Sequence, residues 1–196
     1  MKKLLYTILA VSIIFSACKK EDEEPTNNTN NNNSGNTTNL AIGDSHQGGI
    51  IFYLDGNGGG LVAAPTDQST EAEWGCYLTL ISGADDTAIG TGNQNTIDIE
   101  AGCNTSATAA DICANLALGG YSDWFLPSKD ELYEMYLNIG QGSPLGNVGN
   151  FANDNYWSSS EIGSVVAWDQ DFDPDDPDQG ISSKLGPLYV RAVRAF

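Results

Sequence analysis

Apolar positions divide the chain into a short apolar leader, a long polar stretch and a larger region of mixed periodicity. Residues 48–54 and 61–64 are apolar runs on either side of a glycine-rich turn, which predicts a β-hairpin. Apolar side chains recur with helical spacing over residues 108–118 and 129–138. Near the end, residues 156–160, 165–172 and 188–195 predict three strands, the last two joined by an acidic loop at 173–180.

The helix at 129–138 has the strongest local signals. Ser128 and Glu131 have the spacing of a capping box, in which each side chain accepts a hydrogen bond from the other's backbone N–H. One face of the helix is apolar and should be buried. That face consists of Leu132, Met135, Tyr136 and Ile139. Just before it, the run Trp124 to Leu126 is of strand type and ends at Pro127.

Strands at both ends of residues 40–196 with helices between them predict an α+β domain. This region is long enough for one core and contains no second linker. Residues 65–92 and 140–155 should form long ordered loops, the first anchored by Trp74, and residues 96–100 a short helix. We therefore expect short helices packed on small antiparallel sheets.

The first 39 residues predict export. Residues 1–17 have the charged start and short apolar core of a signal peptide, and Cys18 follows a small-residue cleavage motif typical of bacterial lipoproteins. A plain signal peptide with an ordinary thiol at Cys18 is the alternative. Residues 18–39 are polar and Asn-rich and predict a disordered tether. An acidic block behind the lipidated residue favours display on the outer face of the bacterial outer membrane.

Three cysteines remain once Cys18 is lipidated, so at most one disulfide forms among them. Cys113 lies on an apolar helix face, where a free thiol behaves as a small hydrophobe. This favours a Cys76–Cys103 bridge, with Cys103–Cys113 as the alternative.

The predicted domain carries four basic and 22 acidic residues, a net charge of −18. Such a field disfavours nucleic acid, anionic lipid headgroups and sulfated polyanions as partners. One of Arg191 and Arg194 should be buried against a carboxylate such as Glu161.

No catalytic constellation stands out, and we predict that the protein is not an enzyme. His46 is the only histidine, so the Gly-Asp-Ser block before it has no downstream histidine as a base. Carboxylates alternate along the segment from Trp168 onward and predict a calcium site, with a solvated acidic loop as the alternative. Its ligands would be Asp169, Asp171, Asp173, Asp175 and Asp178.

Trp157 and Trp168 are candidates for stacking on a neutral sugar, since aromatic rings beside acid or amide groups suit such ligands. Trp74 and Trp124 are assigned to the core.

Four motifs support a family resemblance: IGDSHQGGIIFYLD from residue 42, GGYSDWFLPSKDEL from 119, YWSSSE from 156 and YVRAVRAF from 189. Together they resemble the Lcl C-terminal domain family of bacterial surface proteins. The resemblance implies a C-type-lectin-like fold, distantly related to the formylglycine-generating enzymes, and a non-catalytic domain that binds a glycan or a surface protein. The alternative is a structural or assembly component of the envelope, with an oligomer possible.

Overall fold

Two β-sheets form the frame of the protein in a computed structural model that describes residues 39–175 and 177–196. The first sheet has the strand order β1-β2-β3-β9, and the second has the order β4-β8-β5-β6-β7. Neighbouring strands are antiparallel except β5 and β8. The strands are β1 Ser45–His46, β2 Gly49–Leu54, β3 Gly60–Ala63, β4 Ser69–Ala72, β5 Asn155–Gly163, β6 Val166–Asp171, β7 Gln179–Ser183, β8 Leu188–Val190 and β9 Val193–Ala195.

Three helices accompany the sheets: α1 Gly92–Gly102, α2 Ala109–Ala114 and α3 Lys129–Ile139. The α+β prediction is confirmed. The capping box at the start of α3 is present, with Ser128 N donating to Glu131 Oε2 at 2.7 Å. Helix α1 is longer than the predicted segment at 96–100, whereas α2 is shorter than 108–118.

The predicted hairpin is present as β2 and β3. Two predictions about strands are wrong. The predicted strand at 188–195 is two strands in different sheets, because the chain leaves the second sheet at Arg191 and Ala192 before it joins the first. The acidic segment joins β6 to β7, a strand that the sequence pattern did not predict. Strand β4, within the predicted loop at 65–92, was missed too.

The run Trp124 to Leu126 contributes one bridge between Phe125 and Val193 instead of a full strand. The segment before this run makes a close backbone contact with the β1–β2 turn. A Cβ on Gly119 would lie 2.6 Å from the Cα of Gly48, and both glycines have positive φ. This contact fixes the β1–β2 turn against the segment that leads to α3.

Two apolar clusters fill the interior. The first includes Ile51, Trp74, Ile99, Leu126 and Trp157. The second lies where α3 meets β2, β5 and β6. Its members include Phe52, Leu132, Met135, Tyr136, Phe151, Tyr156 and Phe172. Trp74 and Trp124 are core residues, as predicted.

The predicted disulfide between Cys76 and Cys103 is confirmed. Cys113 is free and buried on α2. Burial raises the pKa of its thiol, so at neutral pH it remains a protonated, small apolar group.

The predicted signal peptide, the lipidation site at Cys18 and most of the predicted tether lie outside the described residues. None of the helices within residues 39–175 and 177–196 combines the length and the apolarity needed to cross a bilayer.

The capping box allows a stability prediction. Ser128→Ala should lower the free energy of unfolding by about 1 to 2 kcal/mol, because the Glu131 N–H loses its acceptor at the start of α3. Urea unfolding measures this change, and Ser106→Ala at an exposed position is the control. Equal unfolding midpoints for the two variants would contradict the assigned role of the cap.

Candidate binding surface

The acidic segment between β6 and β7 has carboxylates that accept hydrogen bonds from its own backbone. Asp171 Oδ1 accepts a hydrogen bond from the Asp173 N–H at 2.8 Å, and Asp173 Oδ1 accepts one from the Asp175 N–H at 2.9 Å. These are Asx turns, in which a side chain satisfies the amide two residues ahead. The alternation of aspartates thus shapes the turn between β6 and β7.

The predicted calcium site is not assembled. Within residues 39–175 and 177–196, no group of three or more His, Cys, Asp or Glu side chains is arranged to hold a metal ion. Asp169 is buried while Asp175 and Asp178 are exposed, so the predicted ligands do not share one environment. Asp171 and Asp173 instead bind backbone amides.

Asp169 is nearly inaccessible, and its Oδ1 accepts a hydrogen bond from Asn155 Nδ2 at 2.8 Å. Burial raises the pKa of this carboxyl and the charge of Asp171 adds to the shift, while hydrogen bonds from Ser182 and Asn155 oppose it. The side chain therefore acts within the fold.

The two candidate tryptophans have different environments. Trp157 is fully buried, and its Nε1 donates to the Ala72 carbonyl at 2.8 Å, so its prediction as a ligand-stacking residue is wrong. Trp168 is half-buried on β6. The Nζ atom of Lys129 lies 4.7 Å from the centre of its ring and donates to Gln179 Oε1 at 2.6 Å. A partly exposed ring beside a cation and an amide remains available to a ligand.

The most extensive candidate surface was not predicted from the sequence. Five large apolar side chains project into solvent from three neighbouring segments: residues 77–80, the end of β5 and the loop after β7. We call this surface the apolar end. It consists of Tyr77, Leu78, Leu80, Ile162 and Leu185.

Hydrogen bonds fix these segments to one another. The Leu78 N–H donates to the Ser164 carbonyl at 2.8 Å, and the Lys184 N–H donates to the Val165 carbonyl at 3.0 Å. The disulfide at Cys76 anchors the start of the first segment. Leu78 is 71% exposed and has a φ of 71°, a conformation that is unfavourable for a non-glycine residue. A backbone conformation of this kind raises the free energy of the folded state, and such conformations cluster at functional sites.

A buried ion pair lies under the apolar end. Lys184 and Glu161 are paired with almost no exposure of either side chain. Lys184 Nζ also donates to the Thr79 carbonyl at 3.0 Å, and Glu161 Oε2 accepts a hydrogen bond from the Ile81 N–H at 2.8 Å. One ion pair therefore connects all three segments. Burial of an arginine against a carboxylate is confirmed, since Arg191 pairs with Asp67 and Arg194 with Asp123, but the suggested carboxylate, Glu161, pairs with Lys184 instead.

Beside this ion pair lies an open cavity of about 310 Å³. Leu80, Ile81 and Ile162 form its apolar walls, and Asp85 and Glu161 contribute carboxylates. Glu161 is neutralised by Lys184, so Asp85 is the exposed charge of the lining. An apolar cavity with a carboxylate at its edge can hold an aliphatic group next to a cation.

Three of the four sequence motifs meet at Arg194. Its guanidinium pairs with Asp123, lies over the ring of Tyr121 at 3.8 Å, and donates from Nη1 to Gln47 Oε1 at 2.7 Å. The fourth motif contributes Glu161 and Ser160, whose Oγ accepts from the Lys129 N–H at 3.0 Å. The motifs therefore contribute contacts that hold the fold together.

Comparison with known families agrees with the motifs that begin at residues 119, 156 and 189, while the motif at residue 42 precedes the matched region. The sequence model of the Lcl C-terminal domain family matches residues 64–194, from the end of the β2–β3 hairpin into β9. The chain belongs to this family. Membership indicates a surface-associated protein. No curated protein matches the chain. The apolar end lies entirely within the matched part of this Lcl C-terminal domain.

The ion pair under the apolar end allows a double-mutant prediction. Lys184→Met should lower the free energy of unfolding by about 3 to 5 kcal/mol, because Glu161 stays buried without its partner. Adding Glu161→Gln should restore much of the loss, since the amide oxygen still accepts from the Ile81 N–H. Urea unfolding of both single variants and the double variant measures the coupling.

Lys129→Met is the matched control for this cycle. The Lys129–Asp130 pair is partly exposed, and such pairs contribute about 1 kcal/mol or less. A loss for Lys184→Met no larger than that for Lys129→Met would contradict the role of the buried pair.

The raised pKa of Asp169 predicts a pH dependence of stability. A folded-state pKa above the ordinary value of 3.8 means that the folded protein binds the proton more tightly. As the pH falls through the raised pKa towards 3.8, wild type should gain stability relative to Asp169→Asn, which does not titrate there. Unfolding free energies of both proteins between pH 7 and pH 4 test this, and a constant difference would refute it.

Proposed function

We propose that this protein is a non-catalytic binding protein, anchored outside a bacterial cell by lipid on Cys18, and that its domain binds a protein partner through the apolar end. The observation that carries the proposal is the convergence of five exposed apolar side chains on three segments that a buried ion pair connects. Exposed apolar side chains gathered on neighbouring segments are typical of protein interaction sites. A rigid support reduces the entropy lost on binding.

The setting of His46 supports a role without catalysis. His46 is the only histidine of the sequence, and its ring lies 4.5 Å from that of Phe196 in an edge-on contact. The packing accounts for the residue without a reacting partner. Family membership supports the surface location.

A neutral glycan at Trp168 is the second candidate. The half-buried ring, Lys129 and Gln179 together supply a stacking surface and hydrogen-bonding groups. Ile181 lies opposite Trp168 on β7 and is 56% exposed, which extends the apolar part of this face. This arrangement suits a sugar ring, whose faces are apolar and whose edges are polar.

Site-specific cross-linking on intact cells tests the proposal. A photoreactive amino acid at Leu185 should give a discrete adduct with one protein partner, because this side chain belongs to the apolar end and is 51% exposed. Leu145 is 52% exposed outside the apolar end and provides the matched control position. The Cys18→Ala form, which we expect to be unanchored, should lose the adduct at the cell surface.

Two results would contradict this proposal. Identical adducts from Leu185 and Leu145 would mean that the apolar end has no specific partner. Reproducible binding of the purified protein to neutral glycans, abolished by Trp168→Ala and unaffected by Leu80→Ser, would support the second candidate instead.

A further inference from the structure

The basic side chains of the described domain are all engaged internally. Lys184 and Arg191 are completely buried, Arg194 is nearly so, and Lys129 lies along the ring of Trp168. The 22 acidic residues of the domain greatly outnumber them, and among those that the structure describes only Glu131, Glu161 and Asp169 are buried. The outer surface therefore presents negative charge and almost no free cation. A partner bound at the apolar end approaches through this negative field.

The cavity of the apolar end has its own local charge. Asp85 lines it and is exposed, and no ion pair engages it among the described residues. Asp98 adds a second carboxylate nearby, since its Oδ2 approaches the backbone of Gly83, another lining residue. The nearest cation, Lys184, is buried and paired with Glu161. The lining of the cavity therefore combines apolar side chains with an exposed carboxylate that is unpaired within the described residues.

Volume and chemistry then restrict the occupant. A cavity of about 310 Å³ is large enough for a branched aliphatic side chain, since cavities of about 150 Å³ hold benzene. We propose that the apolar end binds a protein segment that places an aliphatic side chain between Leu80 and Ile162 and an adjacent Lys or Arg against Asp85. This inference rests on the proposed function and specifies the chemistry of the partner.

Charge also argues against two other occupants. A second copy of this chain would bring another net charge of −18 to the same interface, and the repulsion would oppose dimerisation. An anionic membrane surface would be repelled for the same reason. A segment with both apolar and basic residues satisfies the cavity and the field together.

Labelled synthetic peptides test the inference with the purified full-length protein. The probe is a twelve-residue peptide that alternates Leu and Lys pairs, and two matched peptides replace either Leu by Ser or Lys by Glu. Fluorescence anisotropy at several salt concentrations measures the dissociation constants. We expect the Leu/Lys peptide to bind about tenfold more tightly than either matched peptide, because each lacks one of the two contacts.

Variants of the protein locate the binding. Leu80→Ser with Ile162→Ser should weaken the Leu/Lys peptide about tenfold, and Asp85→Asn should weaken it severalfold and reduce its salt dependence. Leu145→Ser with Val148→Ser removes exposed apolar side chains elsewhere. Asp178→Asn removes a charge at the opposite end of the β6–β7 hairpin, and both controls should leave affinity unchanged. Thermal melting confirms that each variant is folded.

Each other outcome overturns the inference in a distinguishable way. Equal weakening by Asp85→Asn and Asp178→Asn means diffuse attraction to the acidic surface. Equal affinity for the Leu/Glu peptide, still lost with Leu80→Ser, refutes the basic partner but leaves the proposed function standing. Self-association or binding to uncharged phosphatidylcholine vesicles that Leu80→Ser abolishes assigns the apolar end to a second copy or to lipid. Insensitivity of every probe to Leu80→Ser, with no cross-link from Leu185, refutes the proposed function as well.

Discussion

Every cation of the described domain lies between a carboxylate and an aromatic ring, and this arrangement connects the separate parts of the fold. A buried charge is costly unless it is paired, and a ring face adds attraction to a desolvated cation. Three of the pairs, those of Lys184, Arg191 and Arg194, join distant segments, so loss of the carboxylate would leave an uncompensated charge inside the domain. The four sets are Lys129 with Asp130 and Trp168, Lys184 with Glu161 and Trp74, Arg191 with Asp67 and Phe151, and Arg194 with Asp123 and Tyr121.

Because the basic side chains pair with carboxylates within the domain, they determine two properties of its surface. The pairing leaves the outward charge negative, and it makes the segments around Lys184 rigid enough to hold apolar side chains in solvent. Lys184 contacts the Thr79 carbonyl, the Glu161 carboxylate and the Trp74 ring, so the loop, the second sheet and the core share one anchor. The conformation of the apolar end therefore depends on Lys184, which is buried beneath it.

Local signals in the sequence predicted local structure well. Ser128 and Glu131 cap α3 as their spacing indicated, and the bridge between Cys76 and Cys103 follows from the burial of Cys113. Long-range outcomes were harder to predict. The break at Arg191 is set by contacts with Asp67 and with the carbonyls of Ala64, Gly149 and Asn150, and none of these lies near it in the sequence. The apolar end has the same origin, because its five residues converge only through tertiary hydrogen bonds.

The acidic segment shows why one pattern supports two different predictions. Aspartates at alternate positions suit a metal loop and equally suit successive Asx turns, and the sequence does not say which acceptor groups remain free. In the structure, Asp171 and Asp173 accept hydrogen bonds from backbone amides, and Asp169 is buried and accepts one from Asn155. These carboxylates bind groups of the fold, and their charges contribute to the net field of the domain. This negative field acts over the whole surface and favours partners with positive charge. The cavity beside Leu80 favours a side chain whose shape fits it.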